Sequence, residues 1–326
     1  MCLKSKTICL FSLTVLFSAS CRKSEIAIKP LDRGDVVTNS VDMNADYKQQ
    51  LFFSLSDNAV ISSNLKTAWD IEFECSSSGF HIRLNTAKAM CAASTSQTTF
   101  SLVADTNNFS VNKQYDSPTG NLDSTAFATW QISKPVYIVD RGYNEAGTPQ
   151  GFRKIQVLYV TSNDYSIKIA NVDGSNEITL TVPKNTDKNY VQFSLASNSI
   201  VNIEPAKENY DLVFSQYTHI YSNPFSTYLV TGVLINPNKV KVAPVFDKPF
   251  ADISVTDSLN HPFKTYQNII GYDWKTYSFQ TSSYIIDFNK CYIIKDVKGF
   301  YYKLHFIDFY NSVGVKGFPK FEFKKL

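Results

Sequence analysis

The sequence is poor in the residues on which most enzyme active sites depend. Its 326 residues include only four histidines, three methionines and 12 glycines. It contains no GxSxG nucleophile motif, no HExxH metal motif and no glycine-rich phosphate loop, the local patterns of serine hydrolases, zinc proteases and nucleotide-binding proteins. We therefore expect a protein without enzymatic activity.

Long apolar runs and a strong net charge are also missing. The apolar run near the N-terminus is about a dozen residues long, and no later run reaches the roughly 18 residues that a membrane-spanning helix needs. The 32 basic and 29 acidic residues leave a net charge of only +3. A balance of this kind produces no basic surface for nucleic acid. The mature chain is therefore predicted neither to cross a membrane nor to bind nucleic acid.

The N-terminus has the pattern of an export signal. Residues 1–20 are predicted to be a signal peptide, because Lys4 and Lys6 precede the apolar run and small residues follow it. Cys21 comes directly after them, and this arrangement resembles a bacterial lipobox, whose cysteine is lipidated. The alternative is an ordinary signal peptide that leaves a free cysteine. If Cys21 carries lipid, the polar residues 21–45 are a tether to the membrane.

Three cysteines remain in the body of the chain, which is too few for a disulfide framework. Cys75 and Cys91 flank a possible hairpin and could form one disulfide, and Cys291 has no partner in the sequence. Buried free thiols are the alternative. No CxxC pair or Cys/His spacing indicates a structural zinc site, so we expect no metal site.

Alternating apolar and polar residues indicate β-strands throughout. Aromatic residues make up 14% of the chain, and glycine or asparagine turns separate the alternating runs. No long segment has helical periodicity. The predicted class is all-β and antiparallel, with few short helices. The clearest strand pairs flank residues 171–177, 236–239 and 296–299.

The chain resembles itself at a spacing of about 140 residues. Phe53-Ser54-Leu55 followed by Trp69-Asp70-Ile71 recurs as Phe193-Ser194-Leu195 followed by Tyr210-Asp211-Leu212. The hairpin that begins at residue 136 recurs at residue 291. These matches predict two tandem modules, 46–185 and 186–326. Asp70 and Asp211 occupy equivalent positions, so we interpret them as structural residues that bind backbone N–H groups at turns.

The opening strand, the Trp-Asp strand, the segment FHIRLN at residues 80–85 and the closing hairpin at residues 292–311 together resemble the HmuY family. Members are described as all-β, haem-binding lipoproteins of Bacteroidota that pass haem to a TonB-dependent outer-membrane transporter. The resemblance implies a lipoprotein of the outer membrane, displayed at the cell surface, that binds haem or a related porphyrin and delivers it for uptake. In sequence it covers most of the mature chain, once as a complete module and again through the repeat.

The axial haem ligands of the family do not carry over by sequence. Two histidines or methionines hold the iron in characterised members, and the corresponding positions lie near Phe246-Asp247 and Ser278 to Gln280, where this chain has neither residue. His219 and His261 are the predicted alternatives. The pocket candidates are Tyr217, Tyr221, Tyr272 and Trp274, although aromatic residues more commonly fill the core of a β protein.

The other candidate ligands have simpler interpretations. His81 and His305 alternate with apolar neighbours and are predicted to be surface imidazoles. Met90 is predicted to fill the core. A second hypothesis for the whole chain is a non-catalytic, glycan- or protein-binding surface lipoprotein with an exposed platform of tyrosine and tryptophan.

Overall fold

A computed structural model describes residues 34–326 and confirms the all-β class. The predicted signal peptide and Cys21 lie outside the described residues, as does the first part of the predicted tether. Two short helices, α1 (Phe109–Asn112) and α2 (Trp130–Ser133), are accompanied by 3-10 turns. These turns are Thr86–Lys88, Phe100–Leu102, Leu122–Ser124, Phe250–Asp252 and Val255–Leu259.

The described residues form twenty strands that pair antiparallel. The strands are β1 (Val37–Ser40), β2 (Gln49–Ser54), β3 (Ala59–Leu65), β4 (Ile71–Glu74), β5 (Ile82–Leu84), β6 (Cys91–Ser94), β7 (Val136–Asp140), β8 (Phe152–Val160), β9 (Asp164–Ala170), β10 (Ile178–Pro183), β11 (Tyr190–Ser194), β12 (Ser199–Val201), β13 (Leu212–Ser222), β14 (Phe225–Ile235), β15 (Lys241–Val245), β16 (Lys275–Ser278), β17 (Ser283–Ile286), β18 (Cys291–Lys295), β19 (Tyr301–Tyr310) and β20 (Lys316–Lys325).

Four sheets and one separate hairpin contain these strands. Sheet I has the order β10-β9-β8-β7-β6, and sheet II has the order β12-β11-β4-β5. Sheet III has the order β14-β13-β2-β3, and sheet IV has the order β1-β20-β19-β18-β15. The separate hairpin is β16–β17. The predicted hairpins around residues 171–177 and 296–299 are present as β9–β10 and β18–β19. The predicted pair around residues 236–239 is wrong, because β14 pairs with β13 and β15 pairs with β18 in another sheet.

Two large apolar cores lie between pairs of sheets. Side chains of sheets I and II form the first core, and side chains of sheets III and IV form the second. Alternation along each strand directs one set of side chains inward, which is why the sequence pattern has a period of two. Burial of this apolar surface is the main contribution to stability.

The two halves of the chain exchange their opening hairpins. Hairpin β2–β3 pairs with β13, so that Phe53 faces Leu212 and contributes to the second core. Hairpin β11–β12 pairs with β4, so that Phe193 faces Ile71 and contributes to the first core. The sequence boundary between residues 185 and 186 therefore does not coincide with the boundary between the two cores. Each core contains strands from both predicted modules.

Asp70 and Asp211 hold the exchanged hairpins in equivalent ways. The carboxylate of Asp70 accepts a hydrogen bond from Leu195 N at 2.6 Å, and that of Asp211 accepts one from Leu55 N at 2.7 Å. Both acceptors are buried, so each bond satisfies a backbone donor at the turn of a hairpin. The geometry agrees with the structural role expected for these two residues.

Two buried lysines show the same equivalence. Lys154 on β8 donates to Phe100 O and Val103 O, and its ammonium lies 4.6 Å from the centre of the Phe100 ring. Lys303 on β19 donates to the carbonyl oxygens of Phe250, Ala251 and Ile253 and lies 4.8 Å from the Phe250 ring. A 3-10 turn is thus fastened to the outer face of sheet I and of sheet IV in the same manner.

The end of the predicted tether belongs to the folded domain, which corrects the boundary at residue 45. Strand β1 pairs with β20, and Met43 N donates to Gly317 O at 3.0 Å. Val41 and Met43 are buried in the second core. The run looks polar in sequence because β1 lies at an edge of sheet IV, where every second residue faces solvent.

The cysteines of the body are free and buried, which decides between the two alternatives left by the sequence. Cys75, Cys91 and Cys291 form no disulfide. Burial raises the pKa of each thiol to about 11. Among residues 34–326, no helix is long and apolar enough to cross a bilayer.

Candidate functional site

A cleft opens along the edge of strand β14 that is not paired with β13, at the point where the chain that runs beside this edge turns away. Residues 267–271 follow the free edge of β14, with Val233 N donating to Gly271 O at 2.9 Å and Gly271 N donating to Val233 O at 3.1 Å. Gly271 has φ of +68°, and a Cβ on Gly232 would lie 2.4 Å from Gly271 O. Glycine at both positions therefore permits the close contact and the turn. Beyond Gly271 the chain leaves β14, and residues 228–231 border the cleft.

Tyrosines form the walls of this cleft, which we call the tyrosine cleft. It lies between β14 and hairpin β16–β17, and its volume is about 360 Å³. That volume is within the range of about 300–1,000 Å³ for small-molecule sites. Five tyrosines line it: Tyr47, Tyr228, Tyr272, Tyr277 and Tyr284. Two aliphatic residues and five polar or charged ones complete the lining: Leu229, Val230, Gln216, Thr231, Asp273, Lys275 and Thr276. The site therefore combines tyrosine walls with several polar groups, among them one carboxylate and one ammonium.

Lys275 is the buried cation of the tyrosine cleft. Its side chain is 6% exposed, and its ammonium donates to Thr231 O at 2.6 Å. The rings of Trp274 and Phe309 lie 4.2 and 4.6 Å from the ammonium. Burial lowers the pKa of Lys275 to about 7, so the charged and neutral forms are both populated near neutral pH.

His219 lies beside the tyrosine cleft and does not line it. Its ring packs edge-on against Tyr221 at 4.6 Å and against Tyr272 at 5.1 Å, and the two tyrosine hydroxyls are 3.1 Å apart. The structure therefore brings together three of the predicted residues. Nδ1 of His219 is buried without a hydrogen-bond partner, and burial lowers the pKa of the imidazole. The ring is thus neutral at neutral pH, the form that binds a metal.

His261 is separated from this cluster and is already engaged. Its Nδ1 lies 2.9 Å from Asp257 O, and its Nε2 lies 2.9 Å from a carboxylate oxygen of Asp247. A ring with both nitrogens bonded has no free ligand atom. As an iron ligand, His261 would have to give up its ion pair with Asp247.

Tyr217 and Trp274 are core residues and do not line the tyrosine cleft. Tyr217 is fully buried on β13. Trp274 is fully buried in the second core and stacks on Phe306 with ring centres 3.9 Å apart. The two residues are therefore not wall residues, in contrast to the prediction, because both rings are packed in the interior. Trp274 contributes only indirectly, through its contact with Lys275.

The two histidines expected at the surface are less exposed than predicted. His305 is 9% exposed, stacks on Phe250 at 4.0 Å and lies 3.1 Å from a carboxylate oxygen of Glu322. His81 has its Nδ1 2.6 Å from Glu74. The alternation of the sequence predicted an exposed His305. The side chain is buried because the 3-10 turn at residues 250–252 covers the outer face of sheet IV. Met90 is buried in the first core, as expected.

At the positions that the sequence resemblance assigns to the family's ligands, this chain has exposed aromatic side chains. Phe246 is 48% exposed, and Phe279 is 89% exposed at the tip of hairpin β16–β17. Phe279 packs edge-on against Tyr277, a wall of the tyrosine cleft, at 5.2 Å. No group of three or more His, Cys, Asp or Glu side chains within residues 34–326 is arranged to hold a metal ion.

Sequence reasoning missed most of the cleft walls and Lys275. Tyr277 and Tyr284 are a cross-strand pair of hairpin β16–β17. A usable signal was present, because two aromatic and β-branched segments flank the polar residues 280–282. Tyr47 and Tyr228 had no local signal, since only the tertiary fold brings them to the cleft.

All residues that line the cleft except Tyr47 come from the second half of the chain. The long walls of the cleft depend on β13 and β14, which have 11 residues each. Their counterparts in the first half, β4 and β5, have only four and three residues. The duplication therefore does not predict a second cleft of this type.

Comparisons with known proteins indicate the family of the chain. The profile of the HmuY protein family matches residues 46–323. No curated protein matches the chain.

Three solved structures are similar, all at low identity. A HmuY-like protein from Bacteroides vulgatus ATCC 8482 shares 13% identity over 89% of this chain and 94% of its own, with a TM-score of 0.23. The apo HmuY analog of Tannerella forsythia shares 12% over 90% of this chain and 98% of its own, with a TM-score of 0.24. A candidate lipoprotein from Bacteroides fragilis NCTC 9343 shares 14% over 41% of this chain and 75% of its own, with a TM-score of 0.21.

The family match runs through both halves of the chain without interruption. It crosses the sequence boundary near residue 185, and it includes both exchanged hairpins. The match therefore includes segments of both predicted modules, 46–185 and 186–326, and the division into two modules stays a prediction. The chain belongs to the HmuY family.

Proposed function

We propose that the protein binds haem or a related porphyrin in the tyrosine cleft and is not an enzyme. The observation that carries the proposal is an aromatic cleft of about 360 Å³ beside a histidine whose buried Nδ1 has no partner. A flat, conjugated ring system suits walls of tyrosine, which pack well against aromatic faces. Family membership supports the assignment, and the Bacteroides vulgatus relative is described as a candidate haem-binding protein.

His219 is the first-choice ligand for the iron of a bound haem, and its ring would have to turn toward the cleft to bind it, because His219 lies beside the cleft and does not line it. Its imidazole is neutral, its Nδ1 lacks a partner, and Tyr272 links it to the cleft wall. His261 is the weaker choice of the two predicted ligands, because Asp247 and the carbonyl of Asp257 occupy its nitrogens. Tyrosine oxygen also binds haem iron in some proteins, so Tyr221 and Tyr272 fit the same environment.

A titration with haemin tests the proposal. We expect a sharpened Soret band in the mature protein and its loss or weakening in Tyr228→Ala and Tyr277→Ala. Tyr159→Ala is the matched control, because Tyr159 is exposed on sheet I, far from the cleft in the fold. His219→Ala should shift the band if His219 binds iron. The absence of any band in the wild-type protein, under oxidising and reducing conditions, would refute haem binding.

The cellular role follows from the family. We propose an outer-membrane lipoprotein, anchored through lipid on Cys21, that displays the domain at the cell surface and passes its ligand to a TonB-dependent transporter. Partition of the full-length protein into Triton X-114 tests the anchor. Cys21→Ser should move the protein to the aqueous phase, whereas partition into detergent by both forms would contradict lipidation at this residue.

Glycan or protein binding is the second candidate function, and exposed aromatic side chains favour it. Phe279 and Phe225 are 89% and 65% exposed, and Phe279 extends the aromatic surface of Tyr277. A sugar or a protein loop would stack on this surface without entering the cleft. Loss of glycan-array binding in Phe279→Ala, with no Soret band in the wild-type protein, would select this function.

A further inference from the structure

Lys275 has unused hydrogen-bonding capacity at the tyrosine cleft. A lysine ammonium has three N–H donors and no acceptor. Here the ammonium has one hydrogen-bond acceptor, Thr231 O, and no carboxylate of residues 34–326 lies within ion-pair distance of it. The nearby Asp273, whose charge acts on Lys275, is instead paired with Lys290. Aromatic rings surround the remaining space.

Three of the other four buried lysines are satisfied more completely, whereas Lys66 has a single acceptor, Oε1 of Gln216. Lys303 donates to three carbonyl oxygens, and Lys154 donates to two. Lys88 is paired with the carboxylate of Asp70. Buried charges in proteins are normally paired or fully hydrogen-bonded. Lys66 and Lys275 both depart from this rule, and of the two only Lys275 lines the tyrosine cleft.

We propose that Lys275 binds an acidic group of the ligand, a carboxylate, within the tyrosine cleft. This inference rests on the proposed porphyrin function of the cleft and names the part of the ligand that the site recognises. Natural porphyrins carry carboxylates on the rim of an apolar ring. The tyrosine walls would receive the ring, and the ammonium would receive one rim carboxylate in a charge-assisted hydrogen bond.

The surroundings favour such a contact over exposure of the lysine to water. The rings of Trp274 and Phe309 attract the cation weakly through their faces and exclude water from it. An incoming carboxylate would supply the missing acceptor and stabilise the charged form. Charge-assisted hydrogen bonds contribute enough in proteins to change affinity by roughly 10- to 100-fold.

Two ligands that differ only in charge test the inference. The mature wild-type protein is titrated at pH 7 with protoporphyrin IX, which has two carboxylates, and with its dimethyl ester, which has none. Porphyrin fluorescence reports binding, and the absence of iron removes any contribution of His219 as an iron ligand. We expect the ester to bind roughly 10- to 100-fold more weakly than the diacid.

Substitution of the lysine assigns the preference to Lys275. In Lys275→Met, both ligands should bind with the affinity of the ester. Lys316→Met is the matched control: Lys316 is exposed, and its ammonium lies 5.2 Å from the ring of Tyr47, a wall of the same cleft. The control should keep the wild-type preference for the diacid.

The outcomes separate the two proposals. If the wild-type protein binds neither ligand and gives no Soret band with haemin, both proposals fail; if it binds haemin and neither iron-free ligand, haem binding stands and the role of Lys275 is refuted. If the wild-type protein binds both equally, the porphyrin site stands and the carboxylate role of Lys275 is refuted; this comparison needs no variant to fold. A preference for the diacid that survives in Lys275→Met also refutes the role. A preference lost in Lys275→Met and kept in Lys316→Met supports it.

Discussion

Asp211→Asn tests how the exchanged N-terminal hairpin is held to the second core. The buried carboxylate of Asp211 accepts hydrogen bonds from Leu55 N at 2.7 Å and from Val297 N at 2.9 Å. Asparagine offers one carbonyl oxygen, and its amide group would then face the second N–H donor. One buried N–H is left without an acceptor, which costs about 1–3 kcal/mol. We expect the free energy of unfolding at pH 7 to fall by that amount.

The pH dependence of this loss is the sharper part of the prediction. Burial raises the pKa of Asp211 to about 6, above its value of 3.8 in the unfolded chain. The folded protein therefore keeps the proton at pH values where the unfolded chain has lost it. The contribution of Asp211 to stability is complete below pH 3.8 and is lost as the pH rises to 6. Since asparagine does not titrate, the loss should be larger at pH 4.5 than at pH 7, by about 2 kcal/mol.

Urea unfolding at pH 7 and pH 4.5, followed by tryptophan fluorescence, measures both quantities. Asp173→Asn is the control, because Asp173 lies exposed in the β9–β10 turn and its pKa is lowered by hydrogen bonds from Ser175. Its effect should stay below about 1 kcal/mol. An Asp211→Asn loss that is equal at both pH values, or larger at pH 7, would refute the raised pKa. No loss at either pH would refute the role in holding the hairpin.

Three further predictions concern other parts of the fold. Burial lowers the pKa of Lys275 to about 7. The free energy of unfolding of the wild-type protein, measured with urea, should therefore rise relative to that of Lys275→Met by about 3 kcal/mol between pH 6.5 and pH 9.5. A difference that stays constant over this range would contradict the lowered pKa. In a Cys21→Ser protein, the thiols of Cys75, Cys91 and Cys291 should react with iodoacetamide at pH 8 about 100-fold more slowly in the folded state than in the unfolded state, because their pKa is raised. Rapid reaction of these thiols in the folded protein would contradict the raised pKa. The fragment 186–326 should lack near-ultraviolet circular dichroism until a peptide of residues 34–65 is added, because the second core needs hairpin β2–β3; an independently folded fragment would contradict this requirement.

Much of the local structure could be predicted from the sequence because its causes are local. The strands that flank residues 171–177 and 296–299 form the expected hairpins, since an Asp-Gly or Lys-Gly turn lies between alternating runs. The equivalence of Asp70 and Asp211 was also visible, because both follow an aromatic residue in matching segments. These features need only a few neighbouring residues to be specified.

The exchange of hairpins could not be predicted, because it depends on which partner a strand selects. Phe53 and Phe193 lie in nearly identical segments, so either hairpin has the apolar pattern required by either core. The repeat shows that the two segments are equivalent. It does not show which of the two cores each hairpin joins. The same reason hid the cleft, whose walls at Tyr47, Tyr228 and Tyr284 come from distant parts of the chain.

The proposed ligand site lies where the two halves stop resembling each other, and this difference supports the proposal. Lys154 and Lys303 fasten equivalent turns in both halves, so the repeated features already have a structural explanation. The lengthened hairpin β13–β14 and the hairpin β16–β17 add edge, cavity and aromatic surface that neither core requires. A buried cation such as Lys275, short of acceptors, destabilises the protein by itself. Its position in an added aromatic cleft is therefore better explained by a ligand than by folding.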